Sequence, residues 1–197
     1  MTDKTIHPDC DLDTRTGWPQ DLRVLLEQYP REVWPGHANL GQMAQFWLQR
    51  HDGFRELGRA LQTATTDFRG GLIPPREFQS WFAPRLQFFL SQLHEHHQVE
   101  DFHYFPVFRA AEARLAAGFD VLENDHEVIH AAIMRSVESA NGFLQSFGDA
   151  DKQRFAGDAY AETSDRLLKQ LLQHLGDEED LIVPVILDRG EQKLGIG

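Results

Sequence analysis

From about residue 39 to residue 190 the apolar residues recur in steps of three and four, a spacing that dictates long amphipathic helices. The first opens near Asn39, after Pro35-Gly36, and lines up Met43, Trp47, His51, Phe54, Leu57/Gly58 and Leu61. The second is clear from Pro84, with Pro75 as an earlier possible start, and lines up Leu86, Phe89, Leu93, His96, Glu100, His103 and Val107. The Gly118 region is expected to end or interrupt it. The third carries Leu122, His126, Ile129/His130, Ile133, Val137, Ala140 and Leu144; the fourth carries Leu167, Leu171, His174, Glu178, Leu181 and Val185 and stops by Gly190. Gly70-Gly71, Pro74-Pro75 and Gly148-Asp149 supply the connections. The expected fold class is all-α, an antiparallel up-down four-helix bundle over residues 39–190. Residues 1–38 form an N-terminal extension with one short helix near 21–28, and residues 191–197 a C-terminal tail.

A chain of 197 residues buries one continuous core without staples. Its single cysteine, Cys10, permits no intramolecular disulfide and fits a reducing compartment. The first residues show no cleavable leader pattern, and no apolar run approaches the roughly 20 residues needed to span a bilayer. These features predict a cytoplasmic protein with no membrane partner. The net charge of −12, with no Lys/Arg-rich stripe, argues against nucleic acid as a partner.

The apolar stripes are interrupted by polar residues in all four helices: His51, His96 with Glu100, His126, and His174 with Glu178. Burying a neutral polar group without a partner costs on the order of 2–7 kcal/mol, and a charge more. Four helices accepting that cost in one core imply a shared compensating partner. A divalent metal is the simplest, because it binds neutral imidazole and ionised carboxylate together. His96/Glu100 and His174/Glu178 are i, i+4 pairs that share a face. His126/His130 has the same spacing. His97/Asp101 does too, one position around the helix, and the stripe puts that pair on the flank with His94. His7 and His37 fall outside the stripes and are expected to face solvent.

An internal repeat reinforces the pattern. His96-x-x-x-Glu100-Asp101-x-x-Tyr104-Phe105-Pro106 recurs as His174-x-x-x-Glu178-Glu179-x-x-Ile182-Val183-Pro184, at an offset of 78 residues. His51 and His126 follow at an offset of 75. Two helix pairs, each with one lone histidine and one His-x-x-x-Glu, predict two metal positions side by side. Pro106 and Pro184 are expected to kink or end their helices just past the site.

These motifs, in this order and with His51 followed by Asp52 and His96 by His97, resemble the hemerythrin family and its HHE cation-binding domains over roughly residues 39–190. The resemblance implies a hemerythrin-like bundle with two Fe ions in a non-haem di-iron centre and no haem. It implies binding of dioxygen or another small diatomic ligand, or a part in oxygen, redox or iron sensing or storage. The ligands carried over are His51, His96, Glu100, His126, His174 and Glu178, with His130 as a seventh to complete five histidines and two carboxylates. The family's oxygen carriers place the last carboxylate five residues after the histidine, which selects Glu179; the stripe and the repeat select Glu178. Two other readings stand beside this one. A metal-based oxidase, peroxidase or NO-handling enzyme on the same centre would use Tyr104 or His103 as proton donor. A metal-free or zinc-bound interaction bundle would leave the histidines as a polar core network.

Overall fold

A computed structural model describes residues 10–197 of the protein. Among these the secondary structure is helical throughout: α1 Val24–Gln28, α2 Gln42–Arg69, α3 Pro75–Val99, α4 Phe105–Ala111, α5 Ala116–Gln145, α6 Ala150–Arg189 and α7 Glu191–Leu194, with no strand. Four of these are long and coincide with the four apolar stripes. No helix among the described residues is long and apolar enough to cross a membrane. His7 lies outside the described residues; His37 is half-buried, its ring 5.5 Å from Tyr29.

The helix ends follow local chemistry. The Glu191 carboxylate accepts the Ala44 N–H at 2.8 Å and caps the first turn of α2. It sits so close to Gly41 that a Cβ there would collide with it. Gly71, at φ +75°, follows α2 in the left-handed region that glycine favours. Pro75 opens α3, where its missing N–H costs nothing. Asn39 Nδ2 donates to the Leu187 carbonyl in the last turn of α6, and Gly190, at φ +80°, closes that helix.

Two boundaries differ from the sequence reading. The break between the second and third long helices falls at Glu112, not Gly118. Glu112 leaves helical geometry (φ −140°, ψ 81°), and its carboxylate accepts the Arg114 N–H. Gly118 lies inside α5, where a Cβ would come within 2.9 Å of Leu181; its smallness serves close packing. Pro184 does not end its helix, since α6 runs on to Arg189. Pro106 instead sits in the first turn of α4, just beyond a π-helical turn at Glu100–Tyr104.

The chain forms two compact units whose boundaries fall within the long helices. The first takes in the chain up to Asp52, His97–His126 and Leu172–Gly197. Its core joins Trp47, Phe105, Phe108, Phe119, Leu122, Leu181 and Val185 to Trp18, Leu22 and Leu25 from the N-terminal segment. Trp34 packs with Val183 and Leu187. The second unit, Gly53–His96 and Glu127–Leu171, is built around an aromatic stack. Phe68 lies on Phe78 at 4.3 Å and Phe78 on Phe82 at 4.6 Å, with Phe143 parallel to Tyr160 at 5.8 Å. Each such ring, fully buried, contributes about 1.5–3 kcal/mol.

Candidate metal centre

Within the first unit five side chains from α2, α5, α6 and the π turn form a closed ring of short contacts. His51 Nε2 is 4.0 Å from Glu100 Oε1, and the other oxygen of Glu100 is 3.6 Å from His126 Nε2. His126 Nε2 is 3.1 Å from His174 Nε2. His174 Nε2 is 3.4 Å from Glu178 Oε2, which is 3.7 Å from His51 Nε2. All five residues are buried. Glu100 thus turns one oxygen toward each lone histidine of the repeat.

Each of the three histidines is held by a carboxylate on its other nitrogen. His51 Nδ1 is 3.0 Å from Glu179 Oε1, His126 Nδ1 2.7 Å from Asp101 Oδ1, and His174 Nδ1 3.3 Å from Asp125 Oδ2. Such a partner takes the Nδ1 proton and leaves the Nε2 lone pair pointing at the centre, the arrangement that orients histidine ligands. The repeat extends to these partners. Asp101 and Glu179 each follow the inward glutamate of one half and brace the lone histidine of the other.

His97 completes the cluster. It is buried, and its ring stacks on His126 at 4.1 Å and meets His174 edge-on at 5.3 Å. One ligand atom from each of His97, Glu100, His126 and His174 falls within 4.8 Å of the others, and the same holds for His51, Glu100 and Glu178. The stripe placed His97 on the flank. Consecutive residues straddle a helix face, and the π turn beginning at Glu100 shifts the following register, so one 3.6-residue frame does not run through this segment. The same shift leaves His103, expected inward, exposed.

The remaining predicted residues belong to the second unit. His96 is half-buried, one turn before Glu100 on the same helix, with its ring 5.1 Å from Phe54. His130 is exposed, and its ring lies 5.0 Å from that of His94; it is not among the clustered residues. One turn of α5 after His126, it has drifted toward the solvent side.

The electrostatics favour a cation. Both oxygens of Glu178 are buried and accept no hydrogen bond among the described residues. Burial lowers the affinity of His51 for a proton, but Glu178, Glu100 and Glu179 outweigh it and push the pKa up to about 9. For His174, burial is likewise outweighed by Asp125 and Glu178, and its pKa rises to about 10. The cluster therefore draws positive charge to the nitrogens that face its centre. The distances suit a metal as well. Two imidazole nitrogens bound at right angles to an ion with ~2.1 Å bonds are ~3.0 Å apart, close to the His126–His174 separation. One contact competes: Trp47 Nε1–H donates to His51 Nε2 at 2.9 Å.

An all-helical protein with paired imidazole and carboxylate donors converging in its interior falls in the class of helical cation-binding domains. The sequence model of the hemerythrin HHE cation-binding domain matches residues 42–186, and the chain belongs to that family. No curated protein and no solved structure matches it.

Asp125 went unnoticed in the sequence, where His97/Asp101 and Glu179 stood only as alternatives to His96/Glu100 and Glu178. The acidic neighbour in Glu100-Asp101 and Glu178-Glu179 carried the signal for two of the three braces.

Proposed function

We propose that this chain holds two iron ions in a non-haem di-iron centre and binds dioxygen or another small diatomic ligand there, in oxygen, redox or iron sensing or storage. The scaffold is an antiparallel four-helix bundle over residues 39–190, with residues 1–38 as an N-terminal extension. One ion is held by His97, His126 and His174, the other by His51 and Glu178, with Glu100 shared. His97 takes the place that the resemblance gave to His130. The observation that carries this reading is Glu100, whose two oxygens approach His51 and His126 separately. Six donors exceed the four that a structural zinc ion takes. Iron, when bound, supplies a redox couple and an open coordination position. The chain's part is to orient the imidazoles through Nδ1, to supply carboxylate charge, and to exclude water with Trp47, Phe105 and Phe108.

A second reading, a metal-based oxidase, peroxidase or NO-handling enzyme, is favoured by Tyr104. Its half-buried phenol lies beside Trp47 at 4.9 Å, and burial together with Glu100 raises its pKa, which keeps a proton on Oη.

Metal content and visible absorption of anaerobically reduced protein, before and after air, test both. About two irons per chain and a new visible band in air support the di-iron centre. Reversal on removing oxygen supports a binding role, and repeated oxidation of added reductant supports the enzyme. A folded protein that takes up zinc alone, or no metal, refutes both.

A further inference from the structure

The N-terminal segment sends two arginines to the carboxylates that brace the histidines. Arg15 is buried and spends its whole guanidinium on the protein. Nη1 donates to Asp125 Oδ1 at 2.9 Å and to the Cys10 carbonyl, Nη2 donates to Asp125 Oδ2, and Nε donates to Asp177 Oδ2 at 2.6 Å. Asp125 Oδ2 is the same atom that faces His174 Nδ1. Arg31 treats Glu179 similarly. Nη1 donates to Glu179 Oε2 at 2.9 Å, while the other oxygen faces His51 Nδ1. The fork is fixed by Asp180 at 2.7 Å and the Gly176 carbonyl at 2.9 Å. Asp101, the third brace, is bonded to His126 and to no arginine among the described residues.

We propose that Arg15 and Arg31 are positioning residues of the metal centre: each locks the carboxylate that fixes one imidazole, Asp125 for His174 and Glu179 for His51. The inference rests on the metal-binding reading above. A carboxylate with one oxygen on a histidine and the other free can rotate about its terminal bond. Anchored at both oxygens, it holds the ring in one orientation, and the rigid guanidinium fork suits that task where a lysine ammonium does not. The N-terminal segment is thereby part of the centre, though it contributes no ligand to it.

The test separates orientation from charge. Removing a positive charge near a cation site strengthens cation binding by Coulomb's law, whereas loss of an orienting partner weakens it, typically by about 10–100-fold. Metal-stripped full-length protein is titrated anaerobically with Co(II) against a chromophoric chelator, and the metal-free forms are melted in parallel. Arg31→Gln, at a half-exposed position, is expected to weaken one Co(II) equivalent by about tenfold and to shift the metal-free melting temperature by no more than ~4 °C. Arg15→Lys, which keeps the charge but not the fork, is expected to weaken Co(II) binding by a similar factor. Arg23→Gln, which removes an exposed arginine paired with Glu27, is expected to change nothing. Tighter or unchanged binding in Arg31→Gln, or equal weakening in Arg23→Gln, overturns the positioning role while leaving the metal centre standing. Wild-type protein that takes up no Co(II) overturns the metal reading and this inference with it.

Discussion

Replacing Arg15 by methionine removes the one guanidinium that neutralises two buried carboxylates. Its side chain is fully enclosed, as is that of Asp125, and Asp177 is nearly so. Methionine refills most of the stem volume, so the loss is electrostatic and not a cavity. Breaking a buried ion pair from one side costs about 3–5 kcal/mol, because the remaining charge keeps its desolvation penalty. Against a total stability of about 5–15 kcal/mol, that is a large fraction. For a chain of this size each kcal/mol moves the melting temperature by about 2–4 °C, so Arg15→Met should melt about 6–20 °C lower. Thermal unfolding of the metal-free protein followed by circular dichroism measures it. Adding Asp125→Asn to Arg15→Met should recover about 0.5–3 kcal/mol, the usual coupling between residues in contact. A drop of less than ~3 °C, under about 1 kcal/mol, would refute the idea that Arg15 compensates these carboxylates.

Three further outcomes follow from the geometry. His97→Ala should cost metal binding and His130→Ala should not, as read by iron or Co(II) per chain; the reverse result would return the second helix to a straight 3.6-residue frame. Trp47→Phe removes the indole N–H that occupies His51 Nε2, and should strengthen Co(II) binding a few-fold, in line with the ~0.5–1.5 kcal/mol of a net hydrogen bond. Weaker binding in that variant would mean the indole supports the site. Glu112→Gln should destabilise the protein by about 1 kcal/mol at neutral pH, measured by urea unfolding. Hydrogen bonds from Arg114, offset in part by burial and helped by Arg189, hold the Glu112 pKa down at about 2 against an ordinary 4.5. The wild-type advantage should therefore be complete above pH 4.5 and fade as pH falls toward 2; an advantage that persists at pH 2 would contradict it.

The long helices were legible because burial follows period. Trp47, His51, Phe54, Gly58 and Leu61 are all buried as their spacing on α2 predicts, and so are Leu171, His174, Glu178, Leu181 and Val185 on α6. Legibility failed where the backbone leaves that period. A single stripe from Leu86 to Val107 cannot anticipate a π turn at Glu100–Tyr104, which leaves His103 exposed; His97 lies before that turn and is buried because consecutive residues straddle the face. It failed again where partners are remote in sequence. Arg15 lies 110 residues from Asp125, and Arg31 148 from Glu179. In a polar N-terminal stretch both look like ordinary surface arginines, since nothing local marks one of them as buried. His130 departs from its spacing in the opposite sense, being exposed. Its i, i+4 relation to His126 is the right spacing, but a four-residue step advances past a full turn, and here that is enough to reach solvent.

The exchange of braces between the halves sets a timetable for the chain as it is made. His51 leaves the ribosome long before Glu179, its partner 128 residues further on. At about 5–20 residues per second that interval lasts roughly 6–26 s. Through it the imidazole lacks the carboxylate that will hold Nδ1, although Trp47 on its own helix can already donate to Nε2, and the glutamates that will face it arrive apart: Glu100 before the midpoint of the wait, Glu178 one residue before the brace itself. An ordered cation site is therefore among the last things this polypeptide can build, after the last long helix has been synthesised almost to its end.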